Sequence, residues 1–162
     1  MLDFGAKYGP WAVIAGASEG LGVSFAEQLA AAGINIILIA RNAEKLDDVA
    51  AMLVDRFAVQ VRKAVIDLTS DDMVERVAAA SEDVDVGFLL YNAGAVSGPK
   101  LVIDQGRDEI MHTIRLNTIG QTMLAQHFGQ KMVARGRGGI VLVGSGGAHA
   151  GCYQLAVYSA VK

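Results

Sequence analysis

The 162-residue sequence contains one cysteine, Cys152, so no internal disulfide can form and a reducing, cytoplasmic compartment is the simpler expectation. As a lone thiol it reads as a small apolar filler rather than a nucleophile. Long apolar runs are missing too. The longest, such as Ile36-Ile37-Leu38-Ile39-Ala40, fall far short of the ~20 residues that a membrane span needs, so no membrane partner is expected. The formal charge of -3 offers no general attraction to nucleic acid or anionic lipid. The basic cluster Lys131, Arg135 and Arg137 reads instead as the cationic end of a helix. His112, His127 and His149 show no metal-ligand spacing, which leaves no metal site, and there is no internal repeat, low-complexity tract or long linker. Trp11 to Ala15 followed by Ala17 imitates a secretory cleavage site, but Pro10 abuts the apolar run and the glycines beyond it have a better use.

What is present is a chain that is 52% hydrophobic and only 19% charged, a balance that excludes a disordered class and suits one domain over 1–162 with a heavily buried sheet. Apolar runs and helical patterns alternate. Strands are expected at 11–15, 35–40, 59–66, 86–91 and 139–143. Between them fall helices at 20–32, with Leu21, Phe25 and Leu29 on one stripe and Gly33 at its end, and at 43–56, with Asn42 as cap. Thr69-Ser70-Asp71-Asp72 has a capping-box pattern for a short helix ending at Ala80, and a long helix over 107–135 precedes a last one at 155–162. This alternation, with strands apolar on both faces, indicates a doubly wound parallel α/β sheet.

Three groups of residues carry chemistry. Gly16, Gly20 and Gly22 lie in Gly16-Ala17-Ser18-Glu19-Gly20-Leu21-Gly22, between the first strand and the first helix. There they allow a tight turn and bring a pyrophosphate to the amides of the helix start. At the end of the second strand, dinucleotide folds place an acid on the adenosine ribose or an arginine on a 2′-phosphate. The residue here is Arg41, with the Ser18 hydroxyl near enough in the turn to assist, so NADP is favoured over NAD. The alternative for Arg41 is a solvated residue opening a loop. Ser145 follows the apolar run 140–143 across one glycine, which puts a hydroxyl at the ligand-binding edge of the sheet. Tyr158 and Lys162, one helical turn apart, share a face, and the ammonium favours the phenolate. That pair is suited to proton transfer.

The ordered set of Gly16, Gly20, Gly22, Asp67-Leu68, Asn92-Ala93-Gly94, Asn117, Ser145 and Tyr158 with Lys162 resembles the short-chain dehydrogenase/reductase family in its single-domain, Rossmann form. The resemblance implies that Tyr158 is the general acid or base, that Lys162 holds the nicotinamide ribose and eases proton loss from the tyrosine, and that Ser145 orients the substrate oxygen. Asn117 would hold a water for proton relay. It further implies that Asp67 and Leu68 lie beside the adenine and that Asn92, Ala93 and Gly94 pass under the cofactor, in a sheet ordered 3-2-1-4-5. The activity implied is hydride transfer between NADP and a carbonyl or secondary alcohol.

Two residues depart from the family pattern, Ala15 in place of threonine and Tyr91 in place of the first asparagine of Asn-Asn-Ala-Gly. The lead-in from Tyr8 to Val13 is similar to the hydroxysteroid and 3-ketoacyl reductase branch. Members of the family usually continue for about ninety more residues, beyond what general domain sizes would require. A longer reductase lacking its last strands and substrate loop is therefore expected, with the fifth strand left as an exposed edge. The alternative is a non-catalytic NADP-binding fragment or sensor. The small, mostly apolar stretch 146–157 suggests an apolar substrate, and relatives pair into homodimers or homotetramers through the long helix and the helix bearing the tyrosine.

Overall fold

The computed structural model describes residues 4–95 and 98–162. Five strands, β1 (Trp11–Ala15), β2 (Asn35–Ala40), β3 (Val61–Val65), β4 (Val86–Tyr91) and β5 (Gly139–Leu142), form one sheet in the order β3-β2-β1-β4-β5. All four pairings are parallel. Ala15 pairs with Ile39 on one side and Tyr91 on the other, and Tyr91 pairs with Leu142, so the carboxyl ends of four neighbouring strands finish together. A ligand-binding edge of this kind is the one expected of an open parallel sheet.

Two cores hold the layers, one on each sheet face, because successive side chains of a strand point to opposite sides. Val13, Ile37, Leu89 and Tyr91 face α4 (Met73–Ala80) and a long helical segment, where Phe128 and Leu124 complete the cluster. Ile14, Ile36, Leu38 and Leu90 face α2 (Gly20–Ala31) and α3 (Ala43–Arg56), through Ala26, Leu29, Leu46 and Leu53. Burial of each large aliphatic side chain is worth about 1.5–3 kcal/mol, which makes the central strands the energetic spine. Of the two edge strands, β3 departs from the expectation of strands apolar on both faces, while β5 stays apolar. At β3, Arg62 lies over the Trp11 ring and forks onto Asp83, while Lys63 pairs with Asp47, so that edge is charged. At β5, Ile140, Val141 and Leu142 are 37%, 36% and 46% exposed, as the fifth strand's edge position implies.

Several local expectations change for identifiable reasons. Asn42 does cap α3, accepting from the Lys45 amide at 2.9 Å. The capping box at 69–72 does not form, because the Thr69 amide and hydroxyl both donate to Asp67 Oδ1, at 2.9 and 2.8 Å, and Asp72 makes no cap bond. Leu21 is 60% exposed instead of lying on the buried stripe of α2. Gly22 must face inward, since a Cβ there would stand 2.0 Å from the Gly16 carbonyl oxygen, and Ala26, Leu29 and Ala30 follow it. Cys152 is exposed, so it fills no core. Short helices α1 (Phe4–Tyr8) and α7 (Gly147–Ala150) carry no buried residue and left no apolar period to read. Arg135 and Arg137 bond Asp85, and Arg137 also reaches the Ala6 and Gly9 carbonyls, tying a helix end to the start of β4. Among the described residues no helix is long and apolar enough to cross a membrane.

The long helix is interrupted. It comprises α5 (Arg107–Ile114), a π turn (Arg115–Ile119) and α6 (Gly120–Ala134), with the Gly120 amide donating to the Arg115 carbonyl five residues back. The wider turn meets Tyr91, whose hydroxyl donates to the Leu116 carbonyl at 2.7 Å. A Cβ at Gly120 would stand 2.3 Å from that hydroxyl oxygen, so helix and strand approach closely only because residue 120 is glycine. Burial pushes the Tyr91 phenol well above its ordinary pKa, keeping it neutral and a donor. Tyr91→Phe strands a buried carbonyl and should cost about 1–3 kcal/mol in urea unfolding. An unchanged midpoint would mean that the carbonyl finds another partner.

Candidate active site

The turn after β1 and the turn after β4 are bonded to each other. The Ala15 carbonyl accepts from the Asn92 and Ala93 amides at 2.9 and 2.8 Å, and Asn92 Nδ2 donates to the Gly16 carbonyl at 3.0 Å. Gly16 has φ +85°, and a Cβ on it would lie 2.7 Å from the Ala93 nitrogen. Gly20, at φ +57°, turns the chain into α2. Glu19 precedes that helix in an extended conformation, yet its carboxylate does not cap it. It pairs instead with Lys45 at 2.6 Å. The first amides of α2 are thus left without a side-chain acceptor at the positive end of the helix dipole.

Beside this turn lies a cleft of about 450 Å³. Gly16, Ser18 and Glu19 come to it from the β1 turn, Arg41 from the end of β2, Asp67 and Leu68 from beyond β3, and Asn92, Ala93 and Gly94 from beyond β4. Nine residues expected around a cofactor, drawn from four strand ends, share one wall. Gly20, Leu21 and Gly22, also expected at the cofactor, form the start of α2 and are not among the residues lining the cleft. Lys45, Thr69 and Leu116 also line the cleft and were not anticipated. The signal for Lys45 was available, because a cap at Asn42 sets residue 45 in the first turn of α3. Arg41 is exposed and makes no hydrogen bond or ion pair among the described residues. Burial alone would raise the Asp67 carboxyl, but the bonds from Thr69 and the nearby charges of Arg41 and His112 outweigh it and hold the group below its ordinary value.

A second cluster adjoins the cleft at Gly94. A Cβ on Gly94 would meet Lys162 Nζ at 2.7 Å and Asn117 Oδ1 at 2.9 Å, so both polar groups converge on this glycine. Asn117 is fully buried in the π turn, and its Nδ2 donates to the Ala95 and Thr113 carbonyls at 3.1 and 2.9 Å. Its Oδ1 is buried with no partner among the described residues, a costly state for an amide oxygen unless a ligand or water completes it. Lys162 Nζ donates to the Val143 carbonyl at 3.0 Å and lies 6.0 Å from the centre of the Tyr158 ring. Burial holds its ammonium below the ordinary lysine value. Both residues belong to or follow α8 (Ala156–Val161), which the Thr118 hydroxyl ties to the π turn through the Val161 carbonyl.

Ser145 Oγ accepts from the Gly147 amide at 3.2 Å. A Cβ on Gly147 would stand 3.5 Å from that oxygen and 3.9 Å from Tyr158 Cε1, so serine and tyrosine flank the same glycine. Asn117 and Lys162 thus meet at Gly94, which lines the cleft, and Ser145 and Tyr158 meet at Gly147, with the Tyr158 ring 6.0 Å from Lys162 Nζ. Among the described residues no group of three or more His, Cys, Asp or Glu is placed to hold a metal ion.

The family model for short chain dehydrogenase matches residues 10–162. The chain is 36% identical over 158 residues to the Homo sapiens protein named inactive hydroxysteroid dehydrogenase-like protein 1, a match covering 96% of this chain and 48% of that protein. It is 30% identical over 161 residues to the Homo sapiens very-long-chain 3-oxoacyl-CoA reductase, covering 98% and 52% respectively. A solved short-chain dehydrogenase from Sphingobium yanoikuyae in complex with NADPH matches with a TM-score of 0.88 at 34% identity, over 94% of this chain and 60% of that one. The chain thus spans about half the length of the curated relatives it matches.

The depressed Asp67 carboxyl has a consequence for acid stability. A carboxyl whose folded pKa lies below its unfolded value stabilises the fold above the unfolded pKa of ~3.9, and that contribution is lost as pH falls through the folded value. Asp67→Asn keeps an acceptor for Thr69 and removes the charge. The stability gap between the two proteins should stay level from about pH 5 to pH 8 and close below about pH 4. A gap that persists unchanged into acid would rule out the charge as its source.

Proposed function

The chain belongs to the short-chain dehydrogenase family, and from that premise we propose that it carries the cofactor site and catalytic residues of an NADP-dependent oxidoreductase acting on a carbonyl or secondary alcohol. The observation that supports this best is the meeting at Gly94 of Lys162 Nζ and Asn117 Oδ1, which has no hydrogen-bond partner among the described residues, beside a cleft that Arg41 also lines.

The residues present fit such a cofactor: the start of α2 has no side-chain cap, Gly16 and Gly22 leave no room for a Cβ, and Arg41 has no protein partner among the described residues. NADPH, when bound, supplies the hydride. The amides at Gly20, Leu21 and Gly22 hold the diphosphate. Arg41 and Ser18 hold the 2′-phosphate, and Asp67 and Leu68 flank the adenine. Asn92, Ala93 and Gly94 form the floor, and Lys162 holds the nicotinamide ribose. Tyr158 gives its phenolic proton to the carbonyl oxygen in reduction and takes one from the alcohol in oxidation. Ser145 orients that oxygen. Asn117 Oδ1 accepts from a water that passes protons by way of Lys162.

Under this reading residues 1–162 act as one nucleotide-binding domain, in a reducing cytoplasmic compartment, on a small apolar substrate that enters past 146–157. The complete protein pairs into a homodimer or homotetramer through the long helix. A second reading, NADP binding without turnover, draws on the relative named inactive and on the share of its relatives that the chain covers. Against it stand Asn117, Ser145, Tyr158 and Lys162, all four of them in this chain.

Tyr158→Phe should lower turnover on a responsive carbonyl by about 10²–10⁴-fold while NADPH binding persists. NADPH binding with no turnover across a carbonyl panel, in the natural full-length protein, would favour the second reading. Arg41→Asp should weaken NADPH far more than NADH in equilibrium titration, and equal losses for both would remove the 2′-phosphate assignment.

A further inference from the structure

On the NADP reading above, we infer that Lys45 is a second cation of the 2′-phosphate site and that Glu19 is a built-in carboxylate competing with the phosphate for it. Both residues line the cleft together with Arg41 and Ser18. Their arrangement is otherwise hard to explain. Glu19 occupies the residue before α2 and makes no bond to the first helical amides. Here it turns away and meets Lys45 Nζ at 2.6 Å. The bond to Lys45 also holds the Glu19 carboxyl below its usual value, so the acid stays ionised at neutral pH.

Lys45 reaches that position because Asn42 Oδ1 accepts from its amide and fixes it in the first turn of α3. The residue thereby lines the cleft together with Arg41, which stands just before the cap. Its side chain is 50% exposed and that of Glu19 74% exposed, so neither charge is trapped. An exposed ion pair in water is weak. A phosphate monoester carries about -1.5 to -2 charge at neutral pH, and it binds cations through stronger charge-assisted bonds. Lys45 therefore turns from Glu19 to the phosphate when the phosphate is present.

Charge arithmetic gives opposite signs for the two residues. Arg41 and Lys45 with Glu19 and Asp67, the four charged residues lining the cleft, sum to zero. Removing Lys45 leaves a net −1, and removing the Glu19 charge a net +1. A ribose without the phosphate offers this pair no charge, and both nucleotides carry the same diphosphate, so NADPH responds more strongly than NADH.

The test is equilibrium titration of NADPH and NADH into the chain and its Lys45→Ala, Glu19→Gln and Arg41→Asp variants, at low and high salt. Lys45→Ala should weaken NADPH by about fivefold and leave NADH within about twofold. Glu19→Gln should tighten NADPH by about threefold, and salt should shrink both effects. Equal loss of both cofactors in Lys45→Ala, or NADPH binding unchanged or weakened in Glu19→Gln, would overturn the inference. If the unaltered chain binds both cofactors equally, the NADP reading itself falls and takes this inference with it. If NADPH is preferred and Arg41→Asp removes the preference while Lys45→Ala keeps it, the NADP reading stands and Lys45 has no part in it.

Discussion

The carbonyl of Ala15, accepting two amides from the turn after β4, joins the two halves of the site. It brings Gly16 so near Ala93 that a side chain on the glycine would overlap backbone, and it sets the Gly16 carbonyl against α2 so closely that residue 22 must also be glycine. The strand ends, the helix start and the segment 92–94 are held in one geometry by contacts that backbone atoms make. Backbone packing of this kind is stiff, since a shift at one glycine collides with the next. The cleft and the polar cluster at Gly94 are built outward from it.

A second close approach serves the other end of the site. Tyr91 stands where the family pattern has asparagine, and its hydroxyl finds the Leu116 carbonyl in the π turn. That turn carries Asn117, whose amide is anchored on two carbonyls while its oxygen, beside Lys162, has no partner among the described residues. Insertions of this type in a helix often sit at functional positions, because they redirect one side chain without unwinding the helix. The departure at residue 91 is thus compensated by Gly120, which supplies the space the larger ring needs.

Much of this was legible in the sequence, and the parts that were not share a cause. β1, β2, β4 and α3 fall where their apolar periods and the Asn42 cap placed them, since burial on two faces or one stripe writes itself into residue order. The glycine turn was placed by its position after the first strand, whereas Asp67, Leu68, Asn92, Ala93 and Gly94 came from the family resemblance, and residues of both groups line the cleft. The π turn left no mark, because a single added residue alters no local propensity and answers only to Tyr91 across the interior. The pattern at 69–72 misled, since the Thr69 groups had a nearer acceptor in Asp67 than at the helix start. Leu21 misled because backbone crowding at Gly22, invisible in hydrophobicity, set the rotation of α2. Lys45 shows the reverse case: it was not singled out, although its place in the first turn of α3 follows from the cap at Asn42.

On the proposed function, the turns after β1 and β4 shape a nucleotide site in which the start of α2 meets the diphosphate and Arg41 the 2′-phosphate. Amide and side-chain NMR of the labelled chain during titration with NADP tests this most directly. The account predicts saturable shifts at the Gly20, Leu21 and Gly22 amides and at the Arg41 guanidinium, with the Arg41 shift absent when NAD is titrated instead. Saturable binding that leaves the start of α2 unmoved, or an Arg41 response that is the same for both nucleotides, would contradict it.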